Sequence, residues 1–411
     1  MTVGFRYRRR RLLAALAGSA LAGPAAFAAK TPAPTYAGDL DEAFRELTRR
    51  DPYGAESLAA LKAAREQWRP KAARAKSPED LLPALQALVD ATRDEHVSLE
   101  PRGPHPQRRV PFESDIWATW KDGAAYVEAV RVSGEADLAG LHPGHVVRAI
   151  QGVDVERAVA RLAGADRRPV ARDWALRRLL AGPWAGLFRV EVTDREGRKR
   201  LEIERRAPAP ANTPPMAGKR IGEKRDLGYV RVRNALDDAA LVADVDAAFA
   251  AVRDTRALIL DLRDLNGPGS HEVIRALLGR FVAREMPWQV REDARGKKTT
   301  DVVAPRGPRL AMPVVALVDR WTAGEGEAFA AGLVAVANAK LIGTPMAGLR
   351  GELAEIRLPA SGAVLRFPAH KALLPDGTPR EKLAPSIAVD LAAPSGGPGD
   401  PILYQALKAL A

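Results

Sequence analysis

The stretch that most constrains the fold is an apolar run, Val314 to Val318, which enters a polar turn and then an alanine-rich helical pattern from Glu327. These patterns predict a buried strand, a sharp turn and a helix N-terminus. Such a turn exposes one side chain at the carboxyl end of a strand, with backbone N–H groups that face a developing oxyanion. A serine is expected at the apex, but residue 324 is glycine.

Further strand patterns at 227–232 and 257–262 flank a helical pattern at 237–252. Strand, helix and strand at this spacing predict a βαβ unit in a buried parallel sheet. The turn after the second of these strands, Asp261 to Ser270, is charged and rich in glycine. We therefore predict an α/β fold with its chemistry at the carboxyl edge of the sheet, where both turns lie.

The first residues have the order of a secretory signal: an arginine cluster at 8–11, a short apolar run at 12–22 and small residues at 25–29. We predict a signal peptide at 1–29, for general or twin-arginine export, and a periplasmic or secreted protein. No apolar run is long enough to span a membrane. Basic residues outside the signal are mixed with acidic ones, although the formal net charge is +12, so we expect no nucleic-acid binding.

The 411-residue chain is long enough for two or three domains. A leader and helical segment occupy 30–110, with helical patterns at 38–50, 55–75 and 78–92. A small mixed domain at 111–206 contains an Ala-Gly-Leu helix, a Pro-Gly turn and an Ile-x-Gly turn, and it resembles a PDZ domain without a recognisable carboxylate-binding loop. A proline-rich linker at 207–226 precedes the core at 227–411.

Three motifs of the core share a family resemblance: Asp-Leu-Arg-Asp-Leu-Asn-Gly-Pro-Gly at 261–269, Thr-Ala-Gly-Glu-Gly-Glu at 322–327 and Gly-Thr-Pro-Met-Ala-Gly at 343–348. With the preceding segments in this order, the chain resembles the tail-specific, or C-terminal processing, serine peptidases. The resemblance implies a crotonase/ClpP-like peptidase core with a PDZ-like domain and an N-terminal helical segment. It also implies that the partners are peptide or protein C-terminal segments.

The resemblance assigns site residues by position. Gly324 stands at the nucleophilic serine. Leu349 stands where members with a Ser-Lys dyad have lysine, so the chain resembles the Ser-His-Glu branch, with His96 as general base and Glu381 near the acidic member. Gly269 and the N–H of Glu325 are the expected oxyanion donors, whereas Pro268 has no N–H to donate.

Two main functions follow for a site without the serine hydroxyl. The first is a pseudopeptidase that still binds peptides, because an acyl-enzyme cannot form without a nucleophile. The second is a working hydrolase in which Thr322 replaces the serine or Glu325 activates a water. A lyase of the crotonase type is a third interpretation, disfavoured by the PDZ-like insertion and the signal. We expect no cofactor and no metal, since the histidines lack metal-ligand spacing and the chain has no cysteine. The sequence does not set the oligomeric state.

Overall fold

The computed structural model describes residues 33–103, 106–164, 166, 168–207, 218–393 and 399–411. The predicted signal peptide and half of the predicted linker, residues 208–217, lie outside these residues. Residues Thr35–Ala411 form one compact unit.

The helices are, in chain order, α1 (Tyr36–Arg49), α2 (Leu58–Ala72), α3 (Pro78–Thr92), α4 (Glu135–Leu138), α5 (Val155–Ala163), α6 (Pro169–Ala181), α7 (Ala240–Val252), α8 (His271–Leu278), α9 (Glu325–Ala337) and α10 (Pro401–Ala409). Short 3₁₀ helices occur at Gly54–Ser57 and Arg380–Lys382.

The strands are β1 (Ser98–Glu100), β2 (Ile116–Lys121), β3 (Ala124–Val130), β4 (Val146–Ile150), β5 (Val153–Asp154), β6 (Gly186–Asp194), β7 (Gly197–Arg205), β8 (Gly218–Ile221), β9 (Leu227–Arg231), β10 (Ala257–Asp261), β11 (Met286–Asp293), β12 (Lys298–Val303), β13 (Val314–Val318), β14 (Lys340–Gly343), β15 (Glu352–Arg357), β16 (Val364–Leu373) and β17 (Ile387–Ala388).

The core is a six-stranded sheet in the order β17-β14-β13-β10-β9-β8. All its neighbouring strands are parallel except β8, which pairs antiparallel with β9. Helices α7, α8 and α9 cover one face and α10 packs on the other. Because both faces are covered, β10 and β13 are buried at every residue, as the apolar runs predicted. Their carboxyl ends therefore bring the two predicted turns to one edge.

A second sheet, in the order β1-β16-β11-β12 with β15 beside β16, joins the core to the N-terminal helices. The first three helices, α1 to α3, pack against β16, and Leu365 and Phe367 are fully buried in this contact. Full burial of such a side chain contributes about 1.5–3 kcal/mol. Strand β1 pairs with β16 directly after His96, so this packing holds the loop that carries the histidine.

Residues 111–206, here called the middle segment, form a sheet in the order β2-β3-β4-β6-β7 with β5 beside β4. Helices α5 and α6 share its apolar core. Helix α6 packs along the edge strand β2, where the Asp173 carboxylate accepts a hydrogen bond from the Trp120 N–H at 2.6 Å. This edge of the sheet is therefore partly covered by the segment itself.

Some boundaries differ from the sequence predictions. Part of the predicted linker is ordered, because β8 (Gly218–Ile221) pairs with β9 and extends the core sheet. The helix predicted at 55–75 begins as a 3₁₀ helix and ends at Ala72. By contrast, α3 spans 78–92 as predicted, because Ser77 caps it in a capping box with Asp80. No helix in the described part of the chain has the length and apolar character that crossing a membrane requires.

Candidate active site

Gly324 forms the apex of the turn between β13 and α9. Its backbone angles are φ 58° and ψ −113°, a region that L-residues with side chains rarely adopt. A residue held there costs on the order of 1–3 kcal/mol. Glycine avoids this strain, which gives residue 324 a structural role in the turn.

The turn is held by Glu327, the third residue of α9. Its carboxylate accepts hydrogen bonds from the N–H groups of Gly324 (3.0 Å), Gly348 (2.8 Å) and Leu349 (3.2 Å). Burial raises the pKa of Glu327 to about 7, although the nearby Arg380 and the three N–H groups act in the opposite direction. This carboxylate fastens the turn at 324 to the loop at 343–349, so the two family-like motifs form one unit.

His96 lies opposite the turn with a fixed orientation. Its backbone N–H donates to the Asp94 carboxylate at 2.8 Å, and its ring Nδ1 lies 2.7 Å from the carbonyl oxygen of Arg350. Because a carbonyl can only accept, Nδ1 carries the proton and Nε2 carries the lone pair of the neutral ring. Burial lowers the pKa of His96 to about 4; the hydrogen bond to Arg350 raises it, and the charge of Arg380 lowers it further.

The structure brings His96 and Gly324 together. A Cβ atom placed on Gly324 would lie 3.9 Å from His96 Nε2, and within the described residues it would meet no other atom within 4 Å apart from its chain neighbours. A serine at this position would therefore have room for its hydroxyl beside the unprotonated nitrogen. This is the relation between nucleophile and base that acyl transfer requires.

The expected oxyanion donors lie next to each other. Gly269 packs directly against the side chain of Glu325, and any Cβ at 269 would overlap it. The Gly267 N–H donates to the Asn234 side chain at 2.6 Å and is not free. Among the hydrogen bonds of the described residues, neither the Gly269 N–H nor the Glu325 N–H has an acceptor. These two groups remain available at the N-terminus of α9.

Glu381 has a different neighbour from the one that the resemblance implies. Its carboxylate accepts a hydrogen bond from the Tyr53 hydroxyl at 3.0 Å, while the His96 Nδ1 is bonded to the Arg350 carbonyl. The preceding residue, Arg380, is buried and donates to the carbonyl of Gly351 at 2.5 Å. In this structure the group that orients the histidine is thus a backbone carbonyl.

The Thr322 side chain is hydrogen-bonded within the turn and to the end of β10. The residue is fully buried, and its hydroxyl donates to the Leu262 carbonyl at 3.0 Å and accepts from the Asp319 N–H at 3.0 Å. The first contact joins the turn to the end of β10, and the second closes the turn that follows β13. The hydroxyl would have to give up these hydrogen bonds to act as a nucleophile.

A second histidine lies on the other side of Glu325. His271 Nε2 is 3.2 Å from a Glu352 oxygen and 3.9 Å from a Glu325 oxygen. The hydrogen bond to Glu352 raises the pKa of His271. Gln289 also donates to Glu352, at 2.6 Å. No sequence signal pointed to this group, because its members lie on α8, α9, β11 and β15. In the described residues no group of acidic and histidine side chains has the arrangement of a metal site.

The middle segment closes over this site. The Trp321 indole N–H donates to the Ser114 carbonyl at 2.7 Å, Arg177 pairs with Glu95 at 2.7 Å, and Arg320 pairs with Glu128 at 2.7 Å. An apolar cluster that includes Trp117, Trp321, Ala323 and Leu349 fills the contact. Gly324 and His96 are both buried.

A parallel sheet with a strand-turn-helix at its carboxyl edge, and with a buried histidine and unbonded N–H groups on neighbouring loops, is typical of an α/β fold of the serine-peptidase kind. Residues 226–389 match the model of peptidase family S41, which includes the tail-specific peptidases.

Solved structures show the same fold over most of the chain. The photosystem II D1 C-terminal processing protease is 16% identical with a TM-score of 0.57, and the match covers 86% of this chain and 93% of that one. Mature CPAF is 14% identical with a TM-score of 0.58, and the match covers 92% of this chain and 95% of that one. No curated protein sequence matches the chain.

Proposed function

We propose that this protein is an exported pseudopeptidase that binds peptides or protein C-terminal segments without cleaving them. Gly324 takes the place of the nucleophilic serine in an S41 peptidase domain. The observation that carries the proposal is the 3.9 Å separation between a Cβ on Gly324 and His96 Nε2, with no other neighbour within 4 Å among the described residues apart from the adjoining chain. The position of His96 and the two unbonded N–H groups support this proposal, since the site lacks the hydroxyl that would form an acyl-enzyme.

The site in the core is the better supported peptide site. The middle segment is PDZ-like in its sequence pattern, and such domains bind peptides by adding a strand to a sheet edge. In this chain the edge strand β2 is covered by α6, and Asp173 already accepts the outward N–H of Trp120. A peptide strand added there would have to displace this hydrogen bond.

An active hydrolase is the alternative. Thr322 would need to break its contacts with Leu262 and Asp319 before it could attack. Glu325 packs against Gly269 and has one oxygen 3.9 Å from His271. An acid-activated water at Glu325 would not use His96, so the two functions differ in which side chain supports turnover.

The test is cleavage of unfolded protein and short peptides by residues 30–411 and by Gly324→Ser and Gly324→Ser/His96→Ala. The proposal expects an inert parent, activity in the serine variant and loss of that activity with His96. Gly362→Ser is a matched control, because Gly362 also has positive φ (70°) and its Cβ position meets none of the described atoms within 4 Å. Cleavage by the parent that disappears in Glu325→Gln or Thr322→Val would instead establish the active hydrolase.

A further inference from the structure

The space beside Gly324 is bordered by the lone pair of His96 Nε2 and by the positive, N-terminal end of helix α9. His96 is 6% exposed, and its Nε2 faces the Cβ position of Gly324 without a hydrogen-bond partner among the described residues. Gly269 packs against Glu325, the residue after Gly324, and neither of their N–H groups has an acceptor among the described residues. Glu325 begins α9, a helix of 13 residues, and the N-terminus of such a helix favours anions.

We propose that this space binds the free α-carboxylate of a peptide C-terminus and that His96 gains a proton in the complex. The inference rests on the proposed function, because it names the chemical group that the same site holds. One carboxylate oxygen would accept from the Gly269 and Glu325 N–H groups. The other would occupy the position of a serine hydroxyl and accept from a protonated Nε2. No covalent bond forms or breaks, and one proton is taken up from solvent.

The orientation of the His96 imidazole determines which ring nitrogen takes up the proton when the carboxylate binds. Nδ1–H is already donated to the Arg350 carbonyl, so Nε2 is the ring nitrogen that can accept a further proton. An amide carbonyl at the C-terminus could use the two backbone N–H groups, but it would leave no negative oxygen to face His96. The site should therefore distinguish a free carboxylate from its amide, and more strongly when His96 is protonated.

The charges around His96 determine the pH at which this occurs. Asp94 accepts from the backbone N–H of His96, Glu327 lies on α9, and the buried Arg380 lies on the 3₁₀ helix after β16. The Arg350 guanidinium, whose own carbonyl binds Nδ1, pairs with Glu56 at 2.9 Å. Burial and Arg380 keep the free imidazole neutral at pH 7, with a pKa of about 4. A carboxylate supplies the missing counter-charge, so by linkage its affinity rises as the pH falls, by up to about tenfold per pH unit.

The probe is N-acetyl-alanyl-alanine, compared with its C-terminal amide; it is small because Gly324 and His96 are buried. Dissociation constants are measured by NMR on residues 30–411 labelled at histidine nitrogens, at pH 5 and pH 7. The inference expects the acid to bind about 10- to 100-fold more tightly at pH 5 than at pH 7 and to raise the pKa of His96. The amide should show neither effect.

Three variants locate the binding. His96→Gln should abolish the pH dependence. Gly324→Ala, which places a methyl group in the space, should weaken the acid at least tenfold, whereas Gly362→Ala should not. Thermal melting of each variant verifies that it is folded. If His96→Gln does not fold, the comparison of Gly324→Ala with Gly362→Ala still decides the question.

Equal affinity for acid and amide, unchanged pH dependence in His96→Gln, or no saturable binding of the acid would each overturn the inference. The proposed function is tested separately by cleavage. If Gly324→Ser cleaves peptides through His96 while the parent shows no preference for the acid, the carboxylate inference alone fails. If Gly324→Ser does not cleave peptides, the proposed function fails, whatever the parent's preference between acid and amide.

Discussion

Replacing Gly324 with serine adds one hydroxyl beside the lone pair of His96, and its consequences can be worked from the structure. The backbone at φ 58° and ψ −113° must now hold a side chain, which costs on the order of 1–3 kcal/mol of stability. No other atom of the described residues lies within 4 Å of the new Cβ, apart from its chain neighbours, so we expect no steric cost beyond this strain.

The size of the activity gain in Gly324→Ser is limited because His96 has no acidic partner at Nδ1 in the described part of the chain. Removing the nucleophile of a serine-protease triad costs on the order of 10⁶ in turnover, and removing the acidic member alone costs on the order of 10⁴. The His96 Nδ1 is held by the neutral carbonyl of Arg350, which fixes the tautomer but gives no charge to stabilise an imidazolium. We therefore expect Gly324→Ser to cleave peptides on the order of 10²-fold faster than the parent.

The assay combines peptide hydrolysis with labelling by a fluorophosphonate, which reports an activated serine directly. The His96 imidazole must be neutral to accept the serine proton, and its pKa is lowered to about 4. Activity should thus be level above about pH 5 and fall as the pH drops through 4. Absence of labelling, or labelling that persists in Gly324→Ser/His96→Ala, would refute the inference that a base and a vacant nucleophile position face each other.

The remaining predictions concern the neighbours of the site. In the serine variant, Glu381→Gln should change turnover by less than about threefold because this carboxylate binds Tyr53; a loss on the order of 10⁴ would identify Glu381 as the acidic member. Glu352 raises the pKa of His271, so this pair should stabilise the fold below about pH 6.5 and lose its effect as the pH rises through the raised pKa. Urea unfolding at pH 6 and pH 9 should show this loss in the parent and not in His271→Gln. Leu349→Lys should lower the free energy of unfolding, measured with denaturant, by at least about 3 kcal/mol, because residue 349 lies in an apolar cluster. In the serine variant, the same substitution should not produce activity through a Ser-Lys dyad.

The local patterns of the sequence were sufficient for the core. Continuous apolar runs predicted β10 and β13, and their burial on both faces follows from the helices that cover the sheet. The strand, turn and helix around Gly324 also followed from short-range patterns, although α9 begins two residues earlier than predicted, at Glu325. The pairing of His96 with Gly324 came from a motif resemblance, since more than two hundred residues separate the two positions.

Other parts of the site had no local signal. The acceptor for His96 is the backbone carbonyl of Arg350, and every residue has such a group, so no residue type marks it. The second histidine group requires His271 and Glu352 to meet across two elements, which spacing along the chain does not reveal. Glu327 could have been found, because an acidic residue at the third position of a helix commonly accepts from the N-cap N–H.

The neighbours of His96 connect the missing serine with the nature of the base. A serine triad needs an imidazole that becomes charged in the transition state, and a carboxylate on Nδ1 normally stabilises that charge. In this chain Nδ1 meets a neutral carbonyl, and the buried Arg380 further disfavours the charged ring. Both features oppose catalysis by a serine, yet neither prevents a bound anion from supplying the charge itself. We therefore expect the same arrangement to limit the activity of the serine variant and, under the proposed carboxylate binding, to make protonation of His96 depend on the ligand, as in a binding site rather than a peptidase.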